Sequence, residues 1–257
     1  MDLTGLLCTL SIALFVLVLL SIEVGRRIRT RELRFSGRSE APGLGAVNAS
    51  IFGLLGLLIA FTFSGAAERL DARRALIVEE ANAIGTAWLR LDLLPAADLQ
   101  VIRPIFRHYV DRRIDYFNDV FDSERRTIGA RALSELQIEV WSRTIKAVQR
   151  MDAPALGSPV VQAMNEMFDV ASKRNSALAM HPPYIVYGML VLLVLISAFL
   201  IGFGMGATKR RLWLHSIGYA LVMTVTLYVI VDFEVPRAGG ITVYAFDALL
   251  EQLRQSL

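Results

Sequence analysis

Residues that build metal and redox sites are scarce in this sequence. It contains one cysteine, Cys8, and three histidines, His108, His181 and His215. A lone cysteine excludes an intrachain disulfide framework and a cysteine-based zinc site. The histidines form neither an HxxxH nor an HExxH pattern, so a zinc-protease site lacks its ligands. Because P-loop, GxSxG and dinucleotide-binding motifs are also missing, we predict no enzyme, no metal and no cofactor.

An excess of charge of either sign is missing as well. The chain has 27 lysines and arginines against 24 aspartates and glutamates, which gives a net charge of +3. So small a charge gives little support to nucleic-acid binding, and we predict no nucleic-acid partner. Hydrophobic residues, in contrast, make up 54% of the chain, above the roughly 45–50% of ordinary soluble domains.

Four long apolar segments account for this excess. They cover residues 3–24, 44–66, 184–205 and 212–231, and charges are absent from them or confined to their ends. A helix needs about 20 apolar residues to cross a bilayer. The sequence therefore predicts an all-α integral membrane protein with four transmembrane helices. We expect it in the inner (plasma) membrane, with the lipid bilayer as its first partner.

A charged stretch of about 120 residues separates the two pairs of spans. Few glycines interrupt it and no strand-like alternation persists, so it is predicted to be helical throughout. We predict a helical-bundle domain inserted between spans two and three. The predicted organisation is a transmembrane hairpin at 1–65, the helical domain at 66–182, a second hairpin at 183–232 and an amphipathic tail at 233–257.

Basic residues in the two short loops predict the orientation. The loop after the first span carries Arg26, Arg27, Arg29, Arg31, Arg34 and Arg38, and the loop after the third carries Lys209, Arg210 and Arg211. Short loops rich in lysine and arginine stay in the cytoplasm. The helical domain is then expected on the outer face of the membrane.

Polar residues follow the second span on one side of a helix. Glu79, Asn82, Thr86 and Arg90 lie within about 80° of one another on a helical wheel, with Arg69, Arg73 and Glu80 on the flank. Two interpretations stay open. The residues form a solvated face with charge partners, or they line a polar vestibule that continues a path through the membrane.

The fourth span ends in a charged turn that includes Asp232, Glu234, Pro236 and Arg237. This turn either stops the helix or forms an ion-binding or gating loop at the membrane interface.

Several of these segments are similar to those of a known family. Residues 51–61 (IFGLLGLLIAF), 69–74 (RLDARR) and 80–87 (EANAIGTA) resemble a bacterial family of uncharacterised bestrophin-like membrane proteins. The turn at 232–239 and the four-span layout fit the same family, so the resemblance covers essentially the whole chain.

The remoter resemblance to true bestrophins carries functional expectations. Those proteins are homopentameric anion channels whose second span lines a hydrophobic neck. The resemblance implies a homo-oligomer that handles inorganic anions, with Gly53, Leu57 and Phe61 facing the axis and Arg73 matching an arginine beyond the span. It also implies a cytoplasmic helical domain, opposite to the side that the basic loops predict.

Two functions are consistent with the sequence. The first is an oligomeric channel, conducting anions along the second span. The alternative is a non-conducting membrane sensor or scaffold whose helical domain binds a ligand or a partner protein.

Overall fold

The structure is a computed structural model that describes residues 3–36, 44–118, 123–206, 213–235 and 243–257. Across these residues the chain forms eight α-helices and no β-strand, which confirms the all-α prediction for this part of the chain. The helices are α1 Leu3–Ser36, α2 Leu44–Arg90, α3 Ala96–Asn118, α4 Ser123–Gln149, α5 Ser158–Ala179, α6 Tyr184–Met205, α7 Trp213–Glu234 and α8 Tyr244–Ser256. Short 3-10 turns occupy Leu91–Leu93 and Pro154–Gly157.

Four helical stretches are long and apolar enough to cross a membrane. They lie within Thr4–Phe35, Gly45–Leu93, Ala155–Met205 and Trp213–Glu234. Each covers all, or all but the first residue, of one of the four spans that hydropathy predicts. By length and composition, therefore, the described residues agree with the four-span prediction.

Helix α1 runs well past its predicted span. The sequence predicts a basic loop after Val24, but the structure continues the helix to Ser36. Ion pairs along this extension join Glu23 to Arg26 at 3.0 Å and Arg29 to Glu32 at 2.9 Å. Pairs three or four residues apart support a helix in water, and no glycine or proline interrupts the sequence from 26 to 36.

The chain divides into two compact units. Unit 1 comprises Met1–Leu70 and His181–Thr242, and unit 2 comprises Asp71–Met180 and Val243–Leu257. In unit 1, α1 packs against α6 and α7. Its core is apolar, and buried members are Val18, Ile22, Leu55, Ala66, Leu190, Val194, Ala198, Ala220, Leu227 and Ile230.

Glycine brings α1 and α6 into close contact in unit 1. A Cβ atom at Gly202 would lie 1.9 Å from the carbonyl oxygen of Ile22, and one at Gly25 would lie 2.1 Å from that of Phe199. Side chains at these positions would force the two helices apart. Small residues play this role in membrane proteins because association there depends on close packing rather than on the hydrophobic effect.

The core of unit 2 uses one face of the second half of α2. Ile77, Ile84 and Leu91 are almost completely buried there, and their spacing is typical of an apolar helical stripe. Residues of α3, α4 and α5 also belong to this core, among them Phe106, Val140 and Met164. Helix α8 packs against α3 in the same unit.

Candidate functional site

One face of α2 is uncovered in unit 1. Exposed residues cover about half of the helix circumference, and along the middle of that face Gly53, Leu57, Phe61, Ser64 and Glu68 recur every three or four residues. Leu57 is 52% exposed and Phe61 is 67% exposed, and a Cβ atom at Gly53 would meet nothing within 4 Å. We call these five residues the α2 row. Within the described residues, no other part of unit 1 packs over this row, which is apolar from Gly53 to Phe61 and polar at Ser64 and Glu68.

The opposite face of the same helix is packed. Leu55, Ala66 and Leu70 are at most 3% exposed. Burial on one side and exposure on the other show that α2 attaches to unit 1 by a single face. All three residues that the resemblance assigns to the axis lie on the uncovered face.

In unit 2, the predicted polar face is partly accessible. Glu79 and Asn82 are exposed, and the Glu79 carboxylate lies 3.5 Å from the ammonium of Lys173. Thr86 and Arg90 are half-buried, and Arg90 donates a 3.0 Å hydrogen bond to the carbonyl oxygen of Pro159. These four residues do share one side of the helix, as their spacing predicts.

The prediction that Arg73 lies in a solvated vestibule is wrong, because its side chain is buried. It is 5% exposed. Its guanidinium donates to the carbonyl oxygens of Ala177 at 3.2 Å and Met180 at 3.0 Å. Those carbonyls belong to the end of α5, where the last helical turn lacks partners of its own. Arg73 therefore stabilises the end of α5 inside unit 2.

The prediction that Glu80 lies in this vestibule is wrong as well, since its side chain is completely buried. One carboxylate oxygen accepts from the guanidinium of Arg113, and the other lies 2.6 Å from a nitrogen of Arg174. Arg174 also lies 3.0 Å from Asp247 of α8 and 3.5 Å from the ring centre of Phe117. We call Glu80, Arg113, Arg174 and Asp247 the buried charge cluster.

The charges of this cluster sum to zero, as burial in a low-dielectric interior demands. Desolvation lowers the pKa of Arg174, while the neighbouring carboxylate of Glu80 acts to raise it. Nearby, burial raises the pKa of Tyr109 to about 12, so its hydroxyl stays protonated at neutral pH. The cluster joins α2, α3, α5 and α8 within unit 2, where Glu80, Arg113 and Arg174 are buried and the side chain of Asp247 is 20% exposed.

A second cluster lies at the end of α7 in unit 1. Asp232 and Glu234 are buried there, and Arg69 contacts the carboxylate of Glu234 at 2.5 Å. The Nδ1 atom of His181 lies 3.5 Å from the same carboxylate. Of the predicted interface loop, Pro236 and Arg237 lie outside the described residues. The sequence assigns Arg69 and Glu234 to separate features, and the structure brings them together.

Over the described residues, no three histidine, cysteine, aspartate or glutamate side chains come together as metal ligands would. The carboxylates of α2 and α7 are instead close to arginine, lysine or hydroxyl groups.

Residues 12–245 match the family model of the Bestrophin-like domain. The chain belongs to the bestrophin-like family. The match spans most of the chain and confirms the resemblance that the sequence motifs indicate. Together with the four apolar helices, it identifies a membrane protein.

A solved structure shares the fold of this bestrophin-like chain. It is the crystal structure of a bacterial bestrophin homologue from Klebsiella pneumoniae that carries a point mutation. The likeness has a TM-score of 0.71 and covers 95% of this chain and 97% of that chain, at 14% sequence identity. At so low an identity the likeness establishes the fold alone. The comparison with curated proteins found no match.

Proposed function

We propose that this protein is a homo-oligomeric ion channel in which the α2 row of each copy faces a central conduction path. The observation that carries the proposal is the uncovered face of α2. A ring of identical subunits needs one face of one helix from each copy at the axis, and α2 has such a face available. The homologue's fold and the family membership support the same assignment by analogy.

The chemical sequence along the α2 row also favours a path for ions. Gly53, Leu57 and Phe61 would form a narrow apolar stretch, and hydrophobic constrictions gate channels by excluding water. Ser64 and Glu68 then add a hydroxyl and a carboxylate. Glu68 lies just beyond the predicted span at 44–66, so its carboxylate would stand at the mouth of the path, where it can act on passing ions.

In this proposal the predicted domain organisation is retained. The helical domain at 66–182 is inserted between the hairpins at 1–65 and 183–232, and the tail occupies 233–257. Glu79, Asn82 and Thr86 would line a vestibule in that domain. The basic loops would face the cytoplasm of a plasma membrane and the helical domain would face outward.

Family resemblance makes inorganic anions the first candidate for the permeant ion. The charges near the end of the span favour a second candidate, cations. Arg69 is engaged with Glu234 and Arg73 with helix carbonyls, so both guanidinium groups already have partners. Glu68 is exposed, receives a 3.3 Å hydrogen bond from Ser64 and forms no ion pair within the described part of the chain. Rings of glutamate are typical of cation channels.

Recording from the purified full-length protein in planar bilayers tests the proposal. A salt gradient across the bilayer gives a reversal potential whose sign distinguishes anions from cations. Mass photometry on the same preparation gives the subunit number. An absence of current together with a monomeric mass would contradict the channel and favour the sensor or scaffold.

Neutralising Glu68 is expected to shift ion selectivity. With Glu68→Gln, the ratio of cation to anion permeability should fall at least about twofold, because each subunit loses one carboxylate beside the path. Glu135→Gln is the matched control, since Glu135 is an exposed carboxylate of α4 outside the proposed path. Equal reversal potentials for wild type and Glu68→Gln would remove Glu68 from the conduction path.

A further inference from the structure

The extension of α1 beyond Gly25 has two exposed rows that the proposed channel does not use. It continues for eleven residues to Ser36, a length of about 16 Å. One row consists of arginines, Arg27, Arg31 and Arg34. The other is apolar and consists of Ile28 and Phe35, which are 46% and 90% exposed. The two rows lie side by side, because their positions fall within about 120° on a helical wheel.

The arginines of this extension differ in how they are engaged. Arg26 and Arg27 both pair with Glu23, at 3.0 and 2.8 Å. Arg29 is buried, pairs with Glu32 and lies over the ring of Phe203 at 5.1 Å.

Arg31 and Arg34 are different. Both are exposed, and within the described ranges neither forms an ion pair. Three residues apart on a helix, their guanidinium groups point to the same side. Two uncommitted cations therefore stand next to the exposed apolar residues Ile28 and Phe35.

We propose that this extension binds the headgroup of an anionic phospholipid. Arg31 and Arg34 hold the phosphate, for which the planar guanidinium offers paired donors. Ile28 lies about one helical turn beyond the span, at the boundary between headgroups and acyl chains where apolar residues are favoured. The ligand class follows from charge complementarity and from position, since the extension directly continues a membrane span and a basic segment beside a span attracts anionic lipid. This inference does not depend on the channel.

Native mass spectrometry of the full-length protein in a zwitterionic detergent tests the site. The probes are dioleoylphosphatidylglycerol and, for comparison, dioleoylphosphatidylcholine, each titrated into the protein. Wild type should bind the anionic lipid more tightly. The double variant Arg31→Gln/Arg34→Gln should bind it roughly thirtyfold more weakly, from about 1 kcal/mol for each arginine at a membrane surface.

A matched double variant controls for charge alone. Arg131 and Arg143 are exposed arginines of α4, so Arg131→Gln/Arg143→Gln removes the same charge elsewhere and should leave lipid binding unchanged. Ile28→Ser keeps both arginines and should weaken the lipid complex without weakening binding of inorganic phosphate.

Four results would overturn the proposal. The first is equal affinity for the two lipids, and the second is an equal loss in both double variants. The third is displacement of the anionic lipid by equimolar inorganic phosphate, which would make the site one for a free anion. If Arg31→Gln/Arg34→Gln changed the oligomer mass while lipid binding persisted, the surface would be a contact with a second copy of the chain.

Discussion

Replacing Glu80 by alanine is expected to destabilise the protein by about 3–5 kcal/mol. The substitution leaves Arg113 and Arg174 facing each other in the interior without their shared carboxylate, and a broken buried ion pair carries a penalty of that order. Thermal unfolding of the purified protein in detergent should show a large fall in Tm. Helix α8 should loosen with it, because Arg174 also contacts Asp247.

The adjacent residue provides the control. Glu79 is half-exposed and its partner Lys173 lies on the surface, so Glu79→Ala should cost less than about 1 kcal/mol. If Glu80→Ala yields no folded protein, Glu80→Gln should yield protein of intermediate stability, since the amide keeps an acceptor for one arginine. Equal unfolding temperatures for Glu79→Ala and Glu80→Ala would contradict the buried charge cluster.

A single methyl group at Gly202 should weaken the contact between α1 and α6. The new Cβ atom would lie 1.9 Å from the carbonyl oxygen and 2.6 Å from the carbonyl carbon of Ile22. Backbone atoms cannot rotate away as a side chain can, so the helices must separate. Overpacking of this kind costs about 1–3 kcal/mol and occasionally more, and Tm for Gly202→Ala should fall accordingly.

Gly204→Ala tests whether the loss of stability depends on contact with α1. Gly204 lies two residues further along the same helix, and a Cβ atom there would meet nothing within 4 Å. Alanine also has the better helix propensity, by about 1 kcal/mol in water. We expect no loss of stability for Gly204→Ala. A fall in Tm as large as that of Gly202→Ala would show that glycine is needed for some reason other than close packing.

Hydropathy and helical spacing account for much of the fold. Spans of about 20 apolar residues are visible in any sequence, and the stripe through Ile77, Ile84 and Leu91 is buried as its period predicts. The polar side of the same helix is harder to predict. Glu80 lies 33 residues from Arg113 and 94 from Arg174. Glu80 lies three residues after Ile77 and four before Ile84, so helical spacing places it beside the buried stripe, but its distant partners could not be predicted from spacing.

Two features could have been predicted by following the helical spacing beyond the ends of the first two predicted spans. The row through Gly53, Leu57 and Phe61 continues with Ser64 and Glu68 at intervals of three and four residues. The helical extension of α1 is indicated by glutamates and arginines at helical spacing and by the absence of a breaker before Gly37. The arginines after the first span were interpreted only as a basic loop that orients the protein, and their helical spacing was not used.

Accessibility of Leu57 to a charged thiol reagent tests the central claim most directly. The background is Cys8→Ser, which removes the chain's only cysteine. Leu57→Cys is compared with Leu10→Cys on α1, because the two leucines are equally exposed, at 52% and 56%. If α2 lines a water-filled path, the reagent should change the current through Leu57→Cys channels and leave Leu10→Cys channels unaffected. A current that persists unchanged after treatment of Leu57→Cys would contradict a pore along α2.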